Sequence, residues 1–249
     1  MKSQFQWLSI EFKCYLRNFP AMFFSLVFPP LMLIIFGESY GSKPMYNGLN
    51  VIDISVPAYI CMIICITGIM SLPVTLATYR ERKILKRFKA TPTTPTHIIG
   101  GQLFVNLVVA ILGAFLLILT AKVRYGFKFS GNILLVCLAF LLNALCCFAI
   151  GFAIASFAND SKSSYAISNV VYFPMIFISG ATIPLEVMSD SIRTIAKFLP
   201  ATYGVEIMKA AWNDGSLSGH GKAIAILAVV TVVFSALSAA FFKWDSDNV

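Results

Sequence analysis

Six stretches of the chain contain no Lys, Arg, Asp or Glu: residues 18–37, 54–79, 103–121, 129–159, 163–185 and 223–242. Each is close to, or longer than, the roughly 20 residues that a helix needs to cross a hydrocarbon layer about 30 Å thick. The pattern predicts an all-α membrane protein with six transmembrane helices, about 20–37, 54–78, 102–121, 132–156, 165–183 and 222–242, in one domain covering residues 1–249. The fourth run is too long for one upright helix, so its ends near Gly131 and Asn159 are expected outside the apolar core. Pro29 and Pro30 are expected to bend or locally open the first span.

The segments between the runs have their own periodicities. At the start, Phe5, Leu8, Ile10, Phe12, Tyr15, Leu16 and Phe19 alternate with Lys2, Lys13 and Arg17, which predicts an interfacial helix over 1–19. Asn18 and Pro20 mark the turn into the first span. Between spans 2 and 3, Ile84, Leu85 and Phe88 lie on one helical face amid positive charge, which predicts a surface helix over about 80–91. Pro92 and Pro95 end it, and Thr91, Thr93, Thr94 and Thr96 favour caps and turns. Between spans 5 and 6, Ile192, Ile195, Ala196 and Leu199 predict a short outer helix that Pro200 stops. A second short helix is expected over 203–212, ending at Asn213, Asp214 and Gly215.

Composition changes the picture in two ways. The 249 residues are 58% hydrophobic and 12% charged, against about 25% charged for a soluble domain. No segment outside the spans can build a core of its own. The net charge of +8 then points to membrane lipids and not to nucleic acid. The six cysteines lack metal-ligand spacing and read as small hydrophobes, not as an extracellular disulfide set. The polar start does not read as a cleavable leader, so the first span is expected to stay as an anchor.

Placing both termini in the cytoplasm puts 11 Lys and Arg inside and eight outside. Six of the inner ones lie in the cluster from Arg80 to Lys89, although Lys122, Arg124 and Lys128 count against this orientation.

Catalytic chemistry is sparse. His97 and His220 are far apart and neither has a zinc-protease partner at i+4. No Ser stands in a Gly-x-Ser-x-Gly elbow. The stretch from Gly215 to Lys222 imitates a phosphate loop, but its Gly-to-Lys spacing is wrong and Ala223 stands where Ser or Thr should bind magnesium. Glu38, Asp53 and Glu186 sit at span ends, so no acid lies deep enough for proton or sodium coupling. An enzyme is therefore not expected, and energy for any transport has to come from another chain.

The densest signal is Arg80, Glu81, Arg82, Lys83, Ile84, Leu85, Lys86, Arg87 and Phe88. As topology signal and lipid contact, these cations would simply snorkel to headgroups. As an apolar strip with a charged border, they would dock into a partner's groove. Glu81, the one acid, could pair with Arg80 or Lys83, or reach a partner's Arg.

These residues resemble the membrane subunit of ABC-2 type ABC exporters, in particular the small six-span bacterial drug- and antibiotic-resistance permeases. Three regions carry the resemblance. The basic amphipathic start is similar to the family's elbow helix. Residues 80–101 are similar to its coupling helix, from the Arg-Glu-Arg start through a Thr-Pro pair to Gly and Gln entering span 3. Ile178, Ser179 and Gly180 through Pro184 and Leu185, then residues 192–200 with Tyr203 and Glu206, resemble its re-entrant region and short outer helices. Lys83 and Ile84 depart from the family, which commonly has Gly and Thr there.

The resemblance implies two permease subunits, homo- or heterodimeric, and two copies of a cytoplasmic ATP-binding subunit that holds ATP and Mg. This chain would bind no cofactor or metal. Arg80, Glu81, Arg82, Lys83, Ile84, Leu85, Arg87 and Phe88 would couple to the ATPase in a bacterial cell membrane. Spans 1, 2 and 5 would line the path. Tyr59, Asn169, Tyr172 and Phe173 offer polar and aromatic contacts to cargo, or pack helices together. A path without fixed charge suits a hydrophobic or amphipathic compound: a drug, antibiotic, peptide or lipid. Export of a lipid-linked polysaccharide and a non-transporting sensor or scaffold are the alternatives.

Overall fold

The computed structural model describes residues 2–40, 44–46, 49–84, 95–127, 129, 131–182, 185 and 188–241. Among these, the chain is helical apart from one small hairpin. Helix α1 covers Lys2–Arg17 and α2 covers Phe19–Tyr40. Strands β1 (Pro44–Tyr46) and β2 (Leu49–Asn50) pair antiparallel and lead into α3, Val51–Glu81. Then come α4 (Pro95–Tyr125), α5 (Ile133–Phe157), α6 (Ser161–Ile178), α7 (Asp190–Ala196), α8 (Pro200–Lys209) and α9 (Gly221–Phe241). A π turn, Ala210–Asp214, extends α8.

Five helices are long and apolar enough to cross a membrane: Phe19–Tyr40, Val51–Glu81, Ile99–Tyr125, Ile133–Phe157 and Gly221–Phe241. The sequence pattern predicted a sixth over 165–183. Instead α6 has 18 residues, and its first half carries Lys162, Ser163, Ser164, Tyr165, Ser168 and Asn169. The polar groups dilute a run that is apolar only from Val170 onward. Helix α5 begins after Gly131 and stops before Asn159, so it is shorter at both ends than the uncharged run 129–159.

Helix α3 is the hub. It packs against α2, α4, α5, α6 and α8, and 78% of its most apolar window is buried within the chain, against 17% for α2 and 11% for α9. The peripheral helices turn Phe24, Val27, Leu31 and Ile35 of α2, Ile111, Phe115 and Val123 of α4, and Leu138, Leu141 and Leu145 of α5 outward. Such faces have low energy in hydrocarbon and are costly in water.

Prolines and glycines shape the hub. In α2 the turn Phe23–Val27 is π-helical directly before Pro29 and Pro30, which cannot donate to carbonyls one turn earlier. In α3 the turn Ile66–Ser71 is also π-helical, ahead of Pro73. Here α3 crosses α5 with almost no spacing. A Cβ on Gly151 would lie 2.0 Å from the Gly68 carbonyl oxygen, and one on Gly68 would lie 2.8 Å from Cys147 Cβ. Close approach of backbones at small residues is a common way for apolar helices to gain dispersion contacts in a membrane.

Caps close the helix ends. The Asn132 side chain accepts from the N–H groups of Leu134 and Leu135 at 3.0 and 3.4 Å. The Asn50 N–H donates to Asp53 at 3.1 Å. At the end of the bundle where α2 and α4 finish, Arg124 donates through Nε and Nη2 to Glu38 at 3.1 and 2.8 Å. Both side chains are more than half exposed. Exchanging the two charges together is expected to leave the melting midpoint in detergent essentially unchanged, since an exposed pair is screened by solvent.

Helices α7 and α8 form where periodicity predicted, with Pro200 at the first turn of α8. Yet α8 does not lie on a surface: Ala201, Thr202, Gly204, Val205, Ile207 and Met208 are buried against α3, α5 and α9. Trp212 is buried in the π turn that follows, and Gly215, at φ 61°, ends it. The residue identities explain this. Most of the buried positions are small or aliphatic, and the single acid on α8, Glu206, faces out to His220 Nδ1 at 2.7 Å.

Candidate functional site

One end of the bundle collects most of the residues that the charge pattern singled out. Helix α3 ends at Glu81, Arg82 caps it, and Lys83 takes a left-handed φ of 57°. Arg80 and Glu81 thus finish the long membrane helix and do not open a separate one, which corrects the expected boundary. Arg82 and Lys83 are exposed and Ile84 is half-buried. Leu85, Arg87 and Phe88 lie outside the described residues, so the apolar strip is represented by Ile84 alone.

Arg80 points inward. Its side chain is 4% exposed, and Nη1 and Nη2 donate to the carbonyls of Ala158 and Ala155, both at 2.8 Å. These are carbonyls at the C-terminus of α5, where intrahelical partners run out and negative partial charge gathers. A guanidinium fork meets two such acceptors at once, which an ammonium cannot do. Glu81 makes the opposite match. Its carboxylate accepts from the N–H and hydroxyl of Ser161, at 3.1 and 2.6 Å, at the positive N-terminus of α6. Consecutive opposite charges on α3 therefore meet opposite helix ends on either side of the α5–α6 turn. Asp160 in that turn accepts from the Ser163 N–H at 2.6 Å, and the hydrogen bonding holds its carboxyl below the usual aspartate value.

A second polar contact at this end was not foreseen. Glu11, on α1, is 8% exposed and accepts from the Tyr79 hydroxyl and from Gln102 Nε2, the latter at 2.8 Å. Gln102 Nε2 also lies 3.2 Å from the Tyr79 hydroxyl. Around them Leu8, Phe12 and Tyr15 of α1 pack on Val105 and Val109 of α4, and Tyr15 donates to Ser25 Oγ at 3.1 Å. Ile10 and Leu16 face away, 58% and 40% exposed. The signal was present in the sequence: Glu11 stands at i+3 from Leu8 and i−4 from Tyr15, an acid inside an apolar stripe.

The four candidate cargo residues separate into two pairs. Tyr59 and Tyr172 are buried in the core of the chain, 2% and 6% exposed. Asn169 is half-buried and donates to the Tyr165 carbonyl at 2.8 Å. Phe173 is half exposed and stacks on Phe177, with ring centroids 6.2 Å apart. Phe173 also lies 5.7 Å from Tyr172, so the aromatic series runs from core to surface along α6. Among the described residues no group of His, Cys, Asp and Glu could hold a metal ion. Cys61, Cys65, Cys146 and Cys147 are buried thiols, while Cys14 and Cys137 are exposed.

Comparison with known proteins gives these features a context. The chain is 24% identical over 189 residues to the "Probable multidrug ABC transporter permease YbhR" of Escherichia coli, a match covering 76% of this chain and 51% of that protein. It is 25% identical over 138 residues to the "Inner membrane transport permease YhhJ" of Escherichia coli, covering 55% of this chain and 37% of YhhJ. It is also 25% identical over 170 residues to the "ABC transporter G family member 20" of Dictyostelium discoideum, covering 68% of this chain and 23% of that protein. The chain thus spans about half the length of YbhR or less of these relatives. The ABC-2 type transporter family matches residues 4–212, from α1 into the π turn after α8. With five helices fit to cross a bilayer, this multi-pass membrane protein belongs to the ABC-2 type transporter family.

Proposed function

We propose that this chain is the permease of an ATP-driven exporter for a hydrophobic or amphipathic compound. It works with a second permease, identical or related, and with two copies of a cytoplasmic ATP-binding subunit that hydrolyses ATP. The observation that carries this reading is the convergence at one end of the bundle. There α1, the end of α3, the start of α4 and the α5–α6 turn are hydrogen-bonded around the two legs of the segment 82–94. A segment held at both legs can receive a push from a motor domain and pass it to the hub helix. In this reading that end faces the cytoplasm of a bacterial cell, together with both termini. The tilted ring contact of Phe157 with Phe241, centroids 5.5 Å apart, sets the last residues of α9 beside the end of α5 and supports the side assigned to the C-terminus.

Helix α6 and the chain after it supply the sixth crossing, with Gly180 at φ 85° beginning the re-entrant turn. Phe173 and Asn169 face the second permease and contact cargo there, while Tyr59 and Tyr172 back them from the core. The similarity to YbhR, named a probable multidrug permease, supports an apolar cargo. Arg82, Lys83, Ile84, Leu85, Arg87 and Phe88 form the docking surface for the ATPase. Arg80 supports it from within, and Glu81 supports it at the surface through Ser161.

The test is to replace Leu85 or Phe88 with Glu in the co-expressed complex. Each change is expected to lower the amount of ATPase that co-purifies with the chain at least about tenfold, through the cost of desolvating a charge in an apolar groove. The melting midpoint of the permease should stay where it is. Unchanged recovery of the ATPase with both variants would refute docking through this strip.

A further inference from the structure

Helix α1 is held to the rest of the chain in two different ways. Leu8, Phe12 and Tyr15 make apolar contacts, which are non-directional and tolerate sliding. Glu11 does not. It accepts hydrogen bonds from Tyr79, two residues before α3 ends, and from Gln102, in the first turns of α4. Tyr79 and Gln102 stand on the two helices that flank the segment 82–94, so one carboxylate grips both of its legs. Charge-assisted hydrogen bonds are short and directional, and a buried acid tolerates no alternative without losing them. A Leu or Ile at position 11 would complete the apolar stripe equally well for membrane binding alone, and nothing in the packing of α1 otherwise requires an acid there.

Resting on the reading of the segment 82–94 as the motor contact, we infer that Glu11 is a positioning residue. Through Tyr79 and Gln102 it makes the interfacial helix and the two legs of that segment move as one body. Displacement of the segment by a motor subunit would then drag α1 along the membrane surface and not slide beneath it. Tyr15, one turn further along α1 and bonded to Ser25 in the π turn of α2, moves with it.

The experiment uses the full chain with its co-expressed ATPase in lipid nanodiscs. Cys14 and Cys137 are replaced by Ser, and nitroxide labels are attached at Lys13→Cys and Lys86→Cys. Pulsed electron–electron resonance measures the distance between them without nucleotide and with ATP and vanadate. Without Glu11 replacement the distance is expected to be narrow and equal in both states. Glu11→Ala and Tyr79→Phe should broaden it without nucleotide. With ATP and vanadate they should shift it by about 5 Å, one helical turn. Glu11→Gln keeps an acceptor oxygen and should restore the narrow distribution.

Tyr79→Phe removes one hydroxyl and leaves the ring, so it decides the matter even where Glu11→Ala fails to fold. Distances in Glu11→Ala and Tyr79→Phe identical to the parent in both states would overturn the inference. Loss of the ATPase from the parent complex would overturn the motor reading instead, and the nucleotide-free comparison still tests the grip of Glu11, since it needs no ATPase.

Discussion

Replacing Gly151 with Ala is expected to destabilise the folded chain by about 3 kcal/mol, toward the upper end of what overpacking usually costs. The added Cβ would sit 2.0 Å from the Gly68 carbonyl oxygen, a backbone atom that no rotamer change can move. Helices α3 and α5 must separate there, and α3 is the helix against which α2, α4, α6 and α8 are also packed. The check is a melt in detergent followed by size-exclusion recovery. Gly68→Ala should be milder, because its Cβ would meet Cys147 Cβ at 2.8 Å and the carbonyl carbon of Cys147 at 2.9 Å. The two together should be non-additive, since they crowd one crossing. Gly100→Ala, with nothing within 4 Å of its Cβ, should be neutral or stabilising by about 0.5 kcal/mol, through better helix propensity.

Arg80→Met is the second large effect. It removes two charge-assisted hydrogen bonds and strands the carbonyls of Ala155 and Ala158, on residues 0% and 1% exposed. The expected loss is about 3 kcal/mol in the melting experiment, from bonds that each contribute about 1.5–3 kcal/mol when one partner is charged. Arg80→Lys should recover about half, because an ammonium reaches one carbonyl well but lacks the fork. The result separates two roles for this residue. If Arg80 served mainly to grip a motor subunit, Met would release the ATPase and leave the melting midpoint unchanged. The geometry predicts the reverse: a lower midpoint, with ATPase binding reduced only as far as the fold is lost.

These two cases show how much was legible beforehand. Charge-free runs located α2, α3, α4, α5 and α9 within a few residues, since the cost of burying charge in hydrocarbon acts on each segment by itself. The paired prolines announced an opened turn in α2, and Asn213, Asp214 and Gly215 marked the end of the π extension of α8. Run 163–185 is less apolar than its lack of charge suggests, because serines, Tyr165 and Asn169 pass a charge filter yet lower the apolarity of α6. Position within the bundle was not legible. The periodicity of residues 203–212 shows an apolar face, but it does not say whether that face meets lipid or α3.

The candidate site was legible as a cluster and not as a mechanism. Arg80 and Glu81 look like the start of a basic surface helix because Arg82, Lys83, Lys86, Arg87 and Lys89 follow them. Only the folded chain shows that the first cation turns inward to the end of α5, while the acid stays exposed and caps the start of α6. Glu11 looked like one polar residue in an amphipathic segment until Tyr79 and Gln102, 68 and 91 positions away, closed on it.

By itself the sequence determined which segments are helical and apolar, and that membrane rather than water is their solvent. Those properties follow from local desolvation and repeat along the chain at the helical period. Tertiary structure alone decided that α3 is the hub, that α8 is buried, and that Arg80 and Glu11 tie helix ends together. Each of these depends on hydrogen bonds and close backbone contacts between residues far apart in the chain, and such pairings carry no signature in the period of any one segment.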